Sequence, residues 1–131
     1  MSVSIYGSGQ TVLQVVSTTL PSSFSSSSSS FTPVTGLSVS ITPQSTTSKI
    51  LVFGTVSGYS TDLGYFALYR GSTPICIGNA SGSATQATGG SFGYGSNTSW
   101  DPVSGMGFNY LYSPATTSSL TYQIYVRTSA N

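Results

Sequence analysis

The chain has 131 residues, of which 37% are hydrophobic and only 4% charged, leaving a net charge of +1. Soluble domains usually carry about 25% charged residues, so this surface must be covered by hydroxyl, amide and backbone groups. There is no histidine and no glutamate, and Lys49, Arg70, Arg127, Asp62 and Asp101 are the only charged side chains, so most acid–base, metal and phosphate chemistry lacks its raw material and no cofactor is expected.

Length predicts one domain with a core of its own, and the balance of 37% hydrophobic residues against a net charge of +1 argues for folding, not disorder. Without clustered Lys and Arg there is no electrostatic footprint for nucleic acid or an anionic membrane. No stretch is long and apolar enough for membrane insertion. The start at Met1-Ser2-Val3 has neither a basic segment nor an apolar run, so the expectation is a protein made in a cytoplasm and not exported by a signal peptide. Cys76 is the only cysteine; set in Ile75-Cys76-Ile77, it is expected to be a small buried hydrophobe.

Taken in chain order, residues 1–10 place Val3, Ile5 and Tyr6 before Gly7-Ser8-Gly9. They read as a strand-like arm on a glycine hinge, free to lie on its own domain or to pair with a neighbour's edge. The domain is expected over residues 11–131. Ser25 to Ser30, between Phe24 and Phe31, reads as strand or strand plus turn, with a flexible linker as the alternative.

Leu37-Ser38-Val39-Ser40-Ile41 alternates as a half-buried strand does. Ile50 to Val56 is nearly continuous in apolar residues and predicts a central strand buried on both faces. Phe66 to Arg70 and Ile75 to Ile77 flank Gly71-Ser72-Thr73-Pro74 as the two arms of a hairpin. From Gly78 to Gly105 the chain is the longest irregular region, and it includes Gly89 to Gly95, read as a loop. Strand alternation resumes through Met106, Phe108, Tyr110 and Tyr112, and again from Leu120 to Arg127. No helical stripe is present, so the fold class expected is all-β: an antiparallel two-sheet β-sandwich, jelly-roll-like in its topology.

Little chemistry can be assembled from these residues. Ser48-Lys49 has no supporting motif and reads as an exposed strand start. Asp62 and Asp101, the one carboxylate pair available for glycoside cleavage, both sit in turn-like sequence. Gly89 to Gly95 lacks the Lys-Ser/Thr pair of a phosphate cradle, and Asn79-Ala80-Ser81 and Asn97-Thr98-Ser99 are sequons without an export signal. The aromatics carry the one live binding hypothesis: Tyr59, Tyr65, Tyr94 and Trp100, with Asp62 and Asp101 nearby in sequence, form a candidate glycan or partner platform. The competing reading makes the same rings core or subunit-interface residues.

Sandwich edges are usually guarded by lysine, proline or covering elements. One lysine leaves these edges and faces open to other polypeptide surfaces. The expected partner is the chain itself, as a symmetric homo-oligomer with a trimer favoured.

Four segments, taken in order, resemble β-sandwich proteins of tailed bacteriophages, especially those of cyanophages and other aquatic phages. They are Leu13 to Thr19; Gly36 to Pro43 leading to Thr47 to Val52; the hairpin Leu68 to Ile75 with Ile77-Gly78; and Ser113 to Thr117 continuing to Thr121-Tyr122. The resemblance spans about Thr11 to Arg127, and it implies a virion structural protein: the tip of a tail fibre or a small free-standing protein on the particle. Related sequences carry charged residues after the hairpin's Ile-Gly, where this chain reads Gly78 to Thr85 without charge, so a receptor role for that loop does not carry over. Only the ten-residue arm precedes the domain, which favours, as an expectation, a capsid decoration or cement protein bound to the major capsid protein or other virion proteins. A tail-fibre tip recognising host surface glycans is the alternative the resemblance leaves open.

Overall fold

The computed structural model describes residues 11–60, 62–92 and 103–129. Among them there is no helix; seven strands form two antiparallel sheets, the two-sheet sandwich expected from the alternation. The strands are β1 (Thr32–Ile41), β2 (Ile50–Gly58), β3 (Gly64–Arg70), β4 (Thr73–Ile75), β5 (Gly89–Phe92), β6 (Ser104–Tyr112) and β7 (Leu120–Thr128). The larger sheet runs β1-β7-β3-β4, with β5 also paired to β3; the smaller consists of β2 and β6 alone. A division of five and two does not draw the eight-strand jelly roll.

β3 is the centre of the larger sheet. β7 pairs with it from Gly64 to Arg70, while β4 and β5 share its other edge, β4 beside Leu68 to Arg70 and β5 beside Gly64 to Phe66. Thr88 fills the gap between them: its N–H donates to the Phe66 carbonyl at 3.0 Å, and its Oγ1 accepts from the Leu68 N–H at 2.9 Å. The predicted hairpin is present with a shorter turn and an earlier second arm, Thr73 to Ile75 in place of Ile75 to Ile77; Gly71-Ser72 turns it, with Gly71 at φ +58°, the left-handed value that the first position of a type II′ turn demands. Its second arm ends at Ile75, where Cys76 takes a φ of +55°.

Alternation sends Phe66 and Leu68 of β3 and Tyr122 and Ile124 of β7 inward, to form the core with Val34 and Ile50. Phe66 packs on Phe108 of β6 with ring centroids 5.9 Å apart. The two sheets are clasped at one end, where the hydroxyls of Tyr112 and Tyr122 hydrogen-bond.

Three sequence expectations are corrected. Gly89 to Phe92 is not loop but strand, because its glycines let two rings lie flat on the backbone. A Cβ at Gly90 would come within 2.6 Å of Tyr65 Cδ1, and one at Gly89 would collide with Phe66. Ser25 to Ser30 is not strand: Ser28 Oγ donates to the Ser30 carbonyl at 2.9 Å and accepts from the Ser30 N–H at 3.0 Å, local bonds that compete with a ladder. The run is fixed at its middle, where the Thr128 N–H donates to the Ser28 carbonyl at 2.9 Å. Finally, β2 is not a central strand buried on both faces, since its only sheet partner among the described residues is β6, and its outward face is open.

Candidate functional site

The open face is built by strict pairing. β2 and β6 are in unbroken register from Ile50 opposite Tyr112 to Gly58 opposite Ser104, so one parity faces the core and the other faces solvent. Leu51 stands opposite Leu111, and Phe53 stands opposite Asn109. Leu51 is 55% and Phe53 is 72% exposed, an unusual state for large apolar side chains within a strand.

Beside this face lies a segment of strand-like composition that forms no strand. Thr11 to Thr19 is rich in β-branched residues, yet it joins no sheet and every one of its nine residues is exposed, Val15 at 81%. Its C-terminal end is anchored at an irregularity in β1, where the register shifts between Pro33 and Ser38. Gly36 turns there with φ +88°, Leu20 packs against it, and the Thr18 hydroxyl donates to its carbonyl at 3.4 Å. Gln123 Nε2 fills the same irregularity by donating to the Val34 carbonyl at 3.2 Å.

Between this segment, β1 and β2 runs a groove of about 960 Å³. Leu37, Val39 and Ile41 of β1 line one wall and Val52 of β2 the other, and it reaches the buried Leu68, Tyr122 and Ile124. Leu51, Phe53 and Leu111 border it too, so groove, segment and sheet face form one continuous apolar surface, with Lys49 as the charged side chain on its rim.

The outer face of the larger sheet is of another kind. Tyr65 and Tyr69 of β3 and Tyr125 and Arg127 of β7 point away from the core around Ala67, which is fully buried. Tyr69 and Tyr125 stack at 3.9 Å, Phe31 closes over Tyr69 at 6.2 Å, and the Arg127 guanidinium lies 5.8 Å from the Phe31 ring and 5.9 Å from that of Tyr65. Partial burial, together with the neighbouring Tyr125 hydroxyl, raises the Tyr69 phenol above its ordinary value.

At the clasp, burial first, then the hydrogen bond shared with Tyr112, pushes the Tyr122 phenol well above its usual value, against an opposing pull from Arg70. Arg70 sits 5.7 Å from the Tyr112 ring. Cys76 is half-buried against the core and its thiol is pushed up by burial, the reverse of what a nucleophile needs.

Of the sequence-predicted platform, Tyr65 lies on the aromatic outer face, while Tyr59 stands exposed just after β2 and Asp62 sits in the connection between the sheets, its N–H held by Ser60 Oγ at 3.3 Å. Tyr94, Trp100 and Asp101, and the arm residues Val3, Ile5 and Tyr6, lie outside the described residues. Sequence reasoning missed Phe31, Tyr69, Tyr125 and Arg127 as a group. The available signal was parity: Tyr65, Ala67 and Tyr69 share a face of β3, as Gln123, Tyr125 and Arg127 share one of β7. Among the described residues no three His, Cys, Asp or Glu side chains come together.

No family model, no curated protein and no solved structure matches this chain. Fold and site define its class: a nearly uncharged two-sheet β-sandwich, closed by stacked rings on one outer face and open and apolar on the other.

Proposed function

We propose that this chain is a non-enzymatic structural protein of a phage particle, a capsid decoration or cement protein that binds and stabilises the shell as an oligomer. One observation carries the reading: the continuous exposed apolar surface of Thr11 to Val16, Leu51, Phe53 and Leu111. Burying such a surface against another polypeptide is favourable by about 25 cal/mol per Å², and patches of this kind mark interaction sites. Its near lack of charge leaves the contact indifferent to salt, because screening acts on charges. Such a protein is made in the host cytoplasm and resides on the virion.

The test is co-sedimentation of the purified chain with shells that lack it, together with protein composition of purified virions. Saturable binding at a whole-number ratio to capsomers, unchanged at high salt, is expected. Absence from the particles and no affinity for shells would overturn the reading.

The aromatic face supports a second reading, a tail-fibre tip for host surface glycans. Tyr65, Tyr69 and Tyr125 combine ring faces with polar tips, the groups sugars contact. The stacking of Tyr69 on Tyr125 occupies two of those faces, which ranks this reading second. Binding on a glycan array, lost in Tyr65→Ala, would promote it.

A further inference from the structure

We propose that Thr11–Thr18 is a β-strand donated to a second copy of this chain, where it adds to the free edge of β2. This deepens the assembly reading by naming the partner, and it rests on that reading only for the formation of a homo-oligomer. The chain carries both halves of the contact. The donor is an extended, β-branched segment that joins no sheet in the described structure. The acceptor is the edge of β2 turned away from β6, which pairs with nothing among the described residues and contains no proline or charged residue from Ile50 to Gly58 to guard it.

Their sizes agree, since eight extended residues span about 27 Å and the nine of β2 about 30 Å. Their chemistry agrees as well. In an extended segment Leu13 and Val15 point one way, and Val12 and Val16 the other. A third strand beside β2 would set one pair over Leu37, Val39 and Ile41 in the groove and the other pair alongside Leu51 and Phe53.

The chain's own groove does not do this: the segment lines it, yet Val12 and Val15 remain 78% and 81% exposed. A surface that its own fold leaves uncovered, and a backbone edge with unpaired N–H and C=O groups, are both satisfied when copies exchange strands. Main-chain bonds then give affinity and alternate side chains give register. With one donor and one acceptor per chain, reciprocal exchange closes a dimer and cyclic exchange closes a ring.

The experiment uses the pure full-length chain without particles, so that failure of shell binding and failure of strand donation are read separately. Sedimentation velocity at about 100 µM, well above the Kd of a specific contact, should show an oligomer. Val15→Asp should weaken association by roughly tenfold or more with unchanged circular dichroism, because Val15 is exposed in the isolated fold. In a Cys76→Ser background, ¹⁴N-labelled Val15→Cys mixed with ¹⁵N-labelled Thr55→Cys should give a bismaleimide cross-link joining peptides of unlike label. A monomeric wild type, an oligomer untouched by Val15→Asp, or no cross-link between the two singly substituted chains would each overturn the proposal.

Discussion

The outer faces of the two sheets obey the same alternation and end in opposite states. On the larger sheet, Tyr69 is covered by Tyr125 and Phe31, and Arg127 sits over Phe31 and Tyr65. On the smaller, Leu51, Phe53 and Leu111 are largely exposed, and no ring or strand among the described residues covers them. What differs is the segment that crosses each face. The serine run is tied to β7 through Thr128 and delivers Phe31 to the larger sheet, whereas Thr11 to Thr19 runs beside the smaller sheet without pairing. Parity decides which way a side chain points, and long-range docking decides whether it is buried.

Two phenylalanines make the largest test of that contrast. Phe66 is 1% exposed and touches Phe108 across the core, so Phe66→Ala should cost about 3–5 kcal/mol in urea unfolding. Phe53→Ala, at a dilution where the chain is monomeric, should stay within about 0.5 kcal/mol of wild type, while weakening self-association or shell binding. Equal costs for the two would erase the distinction between a closed and an open face.

Glycines sharpen the comparison at the next level. Gly90→Ala drives a Cβ to 2.6 Å from Tyr65 Cδ1, and Gly89→Ala collides with Phe66; each should cost about 1–3 kcal/mol as overpacking and loosen β5, seen as faster amide exchange at Tyr65 and Phe66. At Gly107, on the open face, the nearest atom to an added Cβ is the Gly54 carbonyl oxygen at 3.8 Å, an ordinary contact. Gly107→Ala should leave the unfolding midpoint unchanged.

These pairs also show what the sequence makes legible. Strands β1, β6 and β7 announce themselves by period-two alternation, β2 by its apolar run, and the β3–β4 hairpin by its Gly71 turn, because those signals are local. The strand β5 does not, since Gly89-Gly90 looks like loop until the rings of Phe66 and Tyr65 are known to lie across it. The apolar run Ile50 to Val56 is ambiguous for a related reason: apolar residues of both parities suit a strand buried on both faces and equally a strand waiting for a partner. Only the missing neighbours of β2 separate the two. The aromatic face brings Tyr69 against Tyr125, 56 positions further on, through the β3–β7 register, which nothing in the local pattern encodes.

The clasp between the sheets predicts a smaller effect, whose pH dependence is confined to alkaline conditions. Tyr122 keeps its proton in the folded state well above the value of about 10 that a tyrosine has in an unfolded chain. Its contribution is therefore complete below pH 10 and is lost as pH rises further, when the unfolded chain ionises and the native one does not. The raised Tyr69 and Cys76 act in the same direction. Unfolding midpoints should hold to about pH 9 and then fall; Tyr122→Phe should lower the neutral midpoint by about 1 kcal/mol for the lost hydrogen bond and make the alkaline fall shallower. An alkaline limb as steep in Tyr122→Phe as in wild type would detach it from the clasp.

On the acid side the expected effect is the smallest of all. Stability changes with pH only through groups that bind protons differently in the folded and unfolded states, at about 1.4 kcal/mol per pH unit for each proton of difference. Most proteins supply many such groups between pH 7 and 3, but here histidine and glutamate are absent, and Asp62 and Asp101 are the only side-chain carboxylates. Both sheets should therefore behave alike, with the unfolding midpoint nearly level from pH 7 to pH 3 and equally level from low to high salt. Asp62→Asn and Asp101→Asn together should remove whatever slope exists. A steep acid transition that the double substitution abolishes would mean that ionised carboxylates hold this fold together, and the account of it as a neutral, packing-driven sandwich would fail.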